Sequence, residues 1–212
     1  MRILLVALPR AGSKFLQINI NFWLKSAFGR SLDHPNAPVM GFGELLNPEN
    51  FGQGGHLTTD GNGSLELVAS SGDHRAERIN RLEIFGAANS VVAKIMPYLH
   101  DPAENDEILR RSVGLADRAY FLDRPRMDQI ASWLLGLRFN SWSPGEDQRM
   151  LIRRALEVGS NTAVDRSHLE DITRKMAAFD GTMDRCRDLP IKRIDFNDLI
   201  ALEGPEIGRA HV

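Results

Sequence analysis

The strongest constraint on the fold of this chain lies in its first sixteen residues. Residues 3–8 are all apolar, residues 9–14 are a short segment rich in small and basic side chains, and a stretch with helical character follows from Phe15. This order predicts a buried strand, a tight turn and the N-terminus of a helix. The first turn of a helix offers unpaired N–H groups and a positive dipole end. We therefore expect an anion-binding turn, typical of α/β proteins that bind phosphate.

The side chains of this turn also suit an anion. Gly12 would allow an anion to approach the backbone, while Arg10, Ser13 and Lys14 add a guanidinium, a hydroxyl and an ammonium group. A Walker loop requires Gly, four residues and then Gly-Lys-Ser/Thr, but Ala7 stands at the first Gly position and the turn ends in Gly-Ser-Lys. The sequence therefore indicates a phosphate-binding turn of another kind.

A second segment, later in the chain, has the same strand-to-helix form. Residues 119–122 predict a short apolar strand, and from Asp128 the apolar residues follow a helical period. Arg124 stands where the strand ends, and Ser132 lies within the predicted helix. A guanidinium together with a hydroxyl suits a dianionic phosphate, because charge-assisted hydrogen bonds are the strong ones.

Together the two segments resemble the donor-binding motifs of sulfotransferases that use 3′-phosphoadenosine 5′-phosphosulfate (PAPS). Residues 9–16 are similar to the Pro-Arg-Ser-Gly-Thr-Thr-x-Leu loop, which holds the 5′-phosphosulfate in that family. Residues 124–132 are similar to the Arg-(Asp/Asn)-Pro-x-Asp-x-x-x-Ser motif, which binds the 3′-phosphate, although Pro125 is one position early. The donor-binding residues implied by this resemblance are Arg10, Ala11, Gly12, Ser13, Lys14, Arg124 and Ser132.

The resemblance also implies catalytic residues. Lys94 interrupts the apolar run 91–95, where the family has a lysine that stabilises charge on the transferring sulfuryl group. Many cytosolic members have a histidine as general base two residues later, but Met96 stands at that position. Glu44 follows a glycine, as in the "His-Pro … Gly-Glu" stretch of tyrosine-type and bacterial sulfotransferases, in which the Glu is the base. We expect Lys94, Glu44 and Arg10 to act in catalysis.

Less specific interpretations of these residues stay open at this point. Lys94 could be an edge-strand lysine whose ammonium reaches water, and Glu44 a solvated loop residue. Histidines could replace Glu44 as the base, and His56, in a glycine-rich segment, is the first to test. The candidate histidines are His34, His56, His74 and His100.

Composition and pattern predict one α/β domain over residues 1–212. The chain is 42% hydrophobic and 25% charged, which is ordinary for a soluble globular protein of this length. Residues 191–199 are similar to a late strand of the sulfotransferase family, commonly Val-x-Tyr-Glu-Asp-Leu. We expect a three-layer sandwich of the P-loop-like sulfotransferase fold, with helices on both faces of a parallel sheet of about four to five strands. Its ligand should lie at the carboxyl ends of the strands.

Several classes of partner and compartment are not expected. The formal net charge of −2 gives no electrostatic footprint for nucleic acid. The single cysteine, Cys186, excludes an intrachain disulfide and fits a reducing compartment. The opening apolar run is too short for a signal peptide, and no run approaches the length of a membrane span. Together these features predict a cytoplasmic protein, and no cluster of His and Cys suggests a metal.

The expected activity is transfer of a sulfuryl group from PAPS to a hydroxyl or amine by in-line attack, with adenosine 3′,5′-bisphosphate as the product and no metal. The acceptor could be a small molecule, a carbohydrate, a lipid or a peptide. Two alternatives remain. One is a P-loop kinase or NTPase, for which residues 120–123 would be the Walker B strand. The other is a non-catalytic, nucleotide-binding member of the fold.

Overall fold

A computed structural model describes residues 1–13, 16, 17, 19, 20, 45, 46, 56–59, 65–68, 74–88, 91–139 and 165–201. The strands in this part of the chain are β1 (Arg2–Val6), β2 (His56–Thr59), β3 (Leu65–Val68), β4 (Val91–Ile95), β5 (Arg118–Asp123) and β6 (Ile191–Asp195). The helices are α1 (His74–Ala87), α2 (Pro102–Leu115), α3 (Arg126–Phe139), α4 (Arg166–Arg185) and α5 (Phe196–Ala201). The backbone is also helical at Ser13, Leu16, Gln17, Asn19 and Ile20.

Four of the described strands form a parallel sheet in the order β4-β1-β5-β6, which confirms the predicted α/β class and its parallel sheet. β1 lies between β4 and β5, and its Ile3 is paired with Val92 on one side and Arg118 on the other. A central strand of a parallel sheet is covered on both faces, which explains the continuous apolar run at the start of the chain. β2 and β3 pair separately, in antiparallel orientation.

Buried apolar side chains lie on both faces of the sheet. One face packs against four helices, α1 to α4, whose buried residues include Phe85, Leu109, Trp133 and Phe179. The opposite face packs against Leu16 and Ile20, which follow the turn after β1. The segment that follows β1 therefore packs on one face of the sheet, and α3, which follows β5, packs on the opposite face. A crevice between two such strand ends is where open α/β sheets bind ligands.

An aspartate caps the N-terminus of α2. Asp101 accepts a hydrogen bond from the N–H of Glu104 at 2.9 Å, and Pro102 occupies the first position of α2. The helix after β5 begins at Arg126, slightly before the Asp128 of the sequence pattern. The carbonyl of Pro125 already accepts from the N–H of Gln129 at 3.0 Å, which is the first bond of that helix.

Two hydrogen bonds cover the edge of β4 that faces away from β1. The side-chain amide of Gln17 donates to the carbonyl of Val92 at 3.3 Å, and the N–H of Leu45 donates to the carbonyl of Lys94 at 3.0 Å. Carbonyl groups at a sheet edge require partners when they are buried. The segment that contains Leu45 is therefore joined directly to the strand that carries Lys94.

The burial of α4 can be tested at Phe179. This residue is 0% exposed, and its ring centroid lies 5.6 Å from that of Phe121. Phe179→Ala should lower the free energy of unfolding in urea by about 3–5 kcal/mol, because it removes buried area and leaves a cavity. Leu169→Ala, at a position of the same helix that is 38% exposed, should cost less than about 1 kcal/mol. Equal losses would contradict this placement of the core.

Candidate functional site

The turn after β1 has an unusual backbone. Arg10 has a φ of 65° and Gly12 a φ of 81°, both in the left-handed region. The turn closes with a hydrogen bond from the N–H of Ala11 to the carbonyl of Leu8 at 3.3 Å, and the carbonyl of Gly12 then accepts from the N–H of Leu16 at 3.1 Å. Glycine adopts this conformation readily, but for arginine it is strained by about 1–2 kcal/mol. Contacts from elsewhere must therefore stabilise Arg10.

Those contacts come from the segment that follows β5. Nη1 of Arg124 donates to the carbonyl of Arg10 at 2.7 Å. Nε2 of Gln129 donates to the carbonyl of Pro9 at 2.8 Å, and this side chain is 1% exposed. Two consecutive carbonyls of the β1 turn are thus bound by side chains of the second segment. The role of Gln129 was not evident from the sequence, because its helical position indicated only a polar residue beside an apolar stripe.

The side chain of Arg10 also reaches the second segment. Its Nε donates to Oγ of Ser132 at 2.9 Å, across 122 residues of sequence. The structure therefore brings together Arg10, Arg124 and Ser132, three of the predicted donor-binding residues. Ala11 and Ser13 are buried within the same turn. Lys14, the remaining predicted binding residue, lies outside the described residues.

The two guanidinium groups of this cluster influence each other. Partial burial, and then the nearby positive charge of Arg124, lower the pKa of Arg10. Burial also lowers the pKa of Arg124, while the carboxylate of Asp128 partly opposes that change. Arginine remains protonated in proteins, so both groups carry charge. The lowered pKa values mean that these surroundings disfavour the positive charge, and an anion bound nearby would reduce that cost.

An aromatic ring completes the cluster. Phe196 follows β6 directly, and Cζ of Arg124 lies 4.5 Å from its ring centroid. The same ring lies against Gly12, where an added Cβ would be only 2.5 Å from a ring carbon. The sequence indicated Phe196 only as part of a late strand. Its place in the site follows from the pairing of β6 with β5, which aligns Asp195 with Asp123.

Lys94 lies on β4, opposite Leu5 in the register between β4 and β1. The residue is 8% exposed within a strand that is otherwise apolar. Burial of a lysine is costly without a compensating interaction, so the ammonium group of Lys94 requires one at this position. Lys94 is on the strand next to β1, and the turn that follows β1 contains Arg10.

Glu44, the predicted base, lies outside the described residues, but the residue after it is well anchored. The carbonyl of Leu45 accepts from Nη1 of Arg81 at 3.2 Å, and Nε of Arg81 donates to Glu77 at 2.7 Å. Since the N–H of Leu45 also donates to Lys94, this part of the chain is fixed between α1 and β4.

The histidines that could replace Glu44 as the base are not equivalent in the structure. Nε2 of His100 lies 3.3 Å from the carbonyl of Leu46, and its Nδ1 lies 3.4 Å from Nη1 of Arg78. A carbonyl only accepts and an arginine only donates, so these two contacts favour the neutral tautomer with its proton on Nε2, although Nδ1 also lies 3.8 Å from a carboxylate oxygen of Glu104. Burial, and then Arg78, lower the pKa of His100. Both ring nitrogens thus have structural partners. His74 is the first residue of α1, and its backbone alone is described.

His56 is the first residue of β2, and its backbone alone is described. His34 lies outside the described residues.

Comparisons with protein-family models, with curated proteins and with solved structures find no match for this chain. Within the described residues, no group of three or more His, Cys, Asp or Glu side chains is arranged to bind a metal ion. The helices in that part of the chain also include none with the length and apolar character that crossing a membrane requires. Function must therefore be inferred from the residues of the site.

The contact between Gly12 and Phe196 predicts an effect on stability. Gly12→Ala combines a positive φ with a Cβ placed 2.5 Å from the Phe196 ring. We expect the free energy of unfolding to fall by about 1–3 kcal/mol in urea denaturation. Gly114→Ala is the matched control, because a Cβ there would meet nothing within 4 Å, and a helical alanine should be neutral or slightly stabilising. Equal stability of the two variants would be incompatible with this turn.

Proposed function

We propose that this chain is a PAPS-dependent sulfotransferase with the P-loop-like sulfotransferase fold. The observation that carries the proposal is the direct contact between its two phosphate motifs. Arg10 of the first motif donates to Ser132 of the second, and Arg124 of the second donates to the backbone of the first. Two sequence motifs that each suit a phosphate thus meet at the carboxyl edge of a parallel sheet, where ligands of α/β proteins bind.

The residues present are suited to a ligand with several phosphate groups. Arg10 and Arg124 provide two partly buried guanidinium groups, and Ser132 provides a hydroxyl. Nε of Arg124 is buried and has no hydrogen-bond partner among the described residues, so its burial would be compensated by an acceptor atom of a ligand. The bond between Arg10 and Ser132 also means that the residues assigned to the 5′ and 3′ phosphates form one cluster.

The roles of the remaining residues follow from charge and position. Bound PAPS would supply the sulfuryl group. In this proposal Arg10, Arg124 and Ser132 bind and orient its phosphates, which is the main requirement of an in-line group transfer. Lys94 neutralises negative charge that develops during transfer. Glu44 accepts the proton of the acceptor hydroxyl or amine.

No contact in the described residues favours the kinase alternative. The acidic residue of its Walker B strand would be Asp123, whose carboxylate instead forms an ion pair with Arg193 of β6. A carboxylate held by an arginine is poorly placed to act as a magnesium ligand, because the cation would have to displace that arginine.

The first test concerns the choice of nucleotide. If Arg124 and Ser132 bind a 3′-phosphate, adenosine 3′,5′-bisphosphate should raise the Tm far more than AMP or ADP at equal concentration. A ligand present at about 100 times its Kd adds about 2.7 kcal/mol to stability, which is easily seen by thermal shift. Arg124→Gln should reduce the preference for the bisphosphate over AMP at least about tenfold.

Arg166→Gln is the matched control for charge. Arg166 begins α4, its side chain is 90% exposed, and it pairs with Glu170. This variant should keep the preference of the unmodified protein. Equal Tm shifts with AMP and the bisphosphate would remove the sulfotransferase assignment. Tight binding of the bisphosphate without turnover on any acceptor would indicate the second alternative, a non-catalytic nucleotide-binding protein.

A second test separates chemistry from binding, with an acceptor identified by a screen using labelled PAPS. Glu44→Gln should lower kcat by about 10²- to 10⁴-fold with little effect on bisphosphate affinity, since it removes a general base but keeps the side-chain size. Lys94→Ala should also lower kcat more than affinity, because its charge matters most in the transition state. Full activity of Glu44→Gln together with inactivity of His56→Asn would move the base to His56.

A further inference from the structure

We propose that Phe196 is a positioning residue for anion binding, whose ring sets the orientation of the Arg124 guanidinium. The inference rests on the proposed function, since the anion in question is the phosphate-bearing donor. Phe196 belongs to α5, which contributes no residue to either phosphate motif. In this inference α5 nevertheless influences the affinity of the site for the donor.

The geometry around Arg124 leaves its guanidinium little freedom. Cζ of Arg124 lies over the ring of Phe196, 4.5 Å from the ring centroid. Nη1 donates to the carbonyl of Arg10, 2.7 Å away. A guanidinium that is held both by a ring contact and by a hydrogen bond has few other orientations, and this restricts the directions of its remaining donors. Nε is such a donor, and it has no partner among the described residues.

The position of Phe196 is determined by the sheet. The residue before it, Asp195, is paired with Asp123, the residue before Arg124. The carboxylate of Asp195 accepts from the N–H of Asn197 at 2.7 Å and so stabilises the backbone where the chain turns from β6 into α5. The ring therefore reaches Arg124 from the neighbouring strand end.

The ring of Phe196 also lies against Gly12. A single added carbon at Gly12 would lie 2.5 Å from Cε2 and 2.9 Å from Cδ2 of Phe196, so the ring already fills the space beside the turn. Phe196 thus contacts both the β1 turn and the cation that binds the carbonyl of this turn. Without the ring, Arg124 could rotate, and binding an anion would then require ordering a long side chain.

The experiment measures dissociation constants of adenosine 3′,5′-bisphosphate and of AMP by isothermal titration calorimetry. Phe196→Leu should weaken bisphosphate binding about three- to tenfold, the range expected from losing a cation–π contact of this kind. Phe196→Met, which keeps a side chain of similar volume without a ring, should behave in the same way if the leucine variant folds poorly. Phe196→Tyr keeps the ring and should retain affinity within about twofold.

A double mutant distinguishes positioning from general structural support. If Phe196 acts through Arg124, Phe196→Leu should add little to the loss caused by Arg124→Gln, and the combined variant should bind within about twofold of Arg124→Gln. Losses that multiply would mean that the ring acts independently of Arg124, and they would overturn the inference. Phe121→Leu controls for loss of an aromatic residue, because Phe121 packs against Phe179 in the core. It should leave both dissociation constants unchanged.

The failure of this inference and that of the proposed function are distinguishable. If the unmodified protein binds neither nucleotide, the sulfotransferase assignment and the role of Phe196 both fail. If it binds the bisphosphate and Phe196→Leu binds equally well, the assignment stands and the positioning role alone is wrong.

Discussion

The hydrogen bond from Arg124 to the carbonyl of Arg10 joins two segments that are 114 residues apart in sequence. It stabilises a residue whose φ of 65° is unfavourable for arginine. The conformation of this turn also places the Arg10 side chain within hydrogen-bond distance of Ser132. Strain of this kind persists only where several contacts oppose it. The local conformation of the β1 turn therefore depends on the segment after β5, and the site forms only when the sheet is assembled.

The order of the strands explains which residues can meet. Neighbouring strands lie about 5 Å apart, so an arginine at the end of β5 easily reaches the end of β1. β6 is two strands from β1, at about 10 Å, and a side chain from that distance must be large to touch the turn. Phe196 meets this requirement, since it contacts Gly12 as well as Arg124. β4, the neighbour of β1 on its other side, carries the buried Lys94.

The sequence was informative where local pattern determines structure. Apolar runs predicted the parallel strands, and a basic residue after each of two strands indicated Arg10 and Arg124. The contacts of Gln129 and Phe196 could not be predicted in the same way, because they depend on strand order and on which carbonyls face a neighbouring element. Gly12 is one example. The sequence suggested that a ligand approaches this glycine, and it could not show that the ring of Phe196 occupies the space where a Cβ would lie.

The partners of Arg124 bear on whether its charge is available to a ligand. Elsewhere in the described chain, Arg110 and Arg185 each donate two hydrogen bonds to one carboxylate, those of Asp188 and Asp106. An anionic ligand at such an arginine must compete with a carboxylate already in place. Arg124 instead donates to a backbone carbonyl and contacts an aromatic ring, while Asp128 influences it through charge. A carbonyl dipole and a ring can both stay in contact with a guanidinium that binds an anion, since neither of them is a competing anion. The arrangement therefore holds Arg124 in place while leaving a donor edge for a ligand.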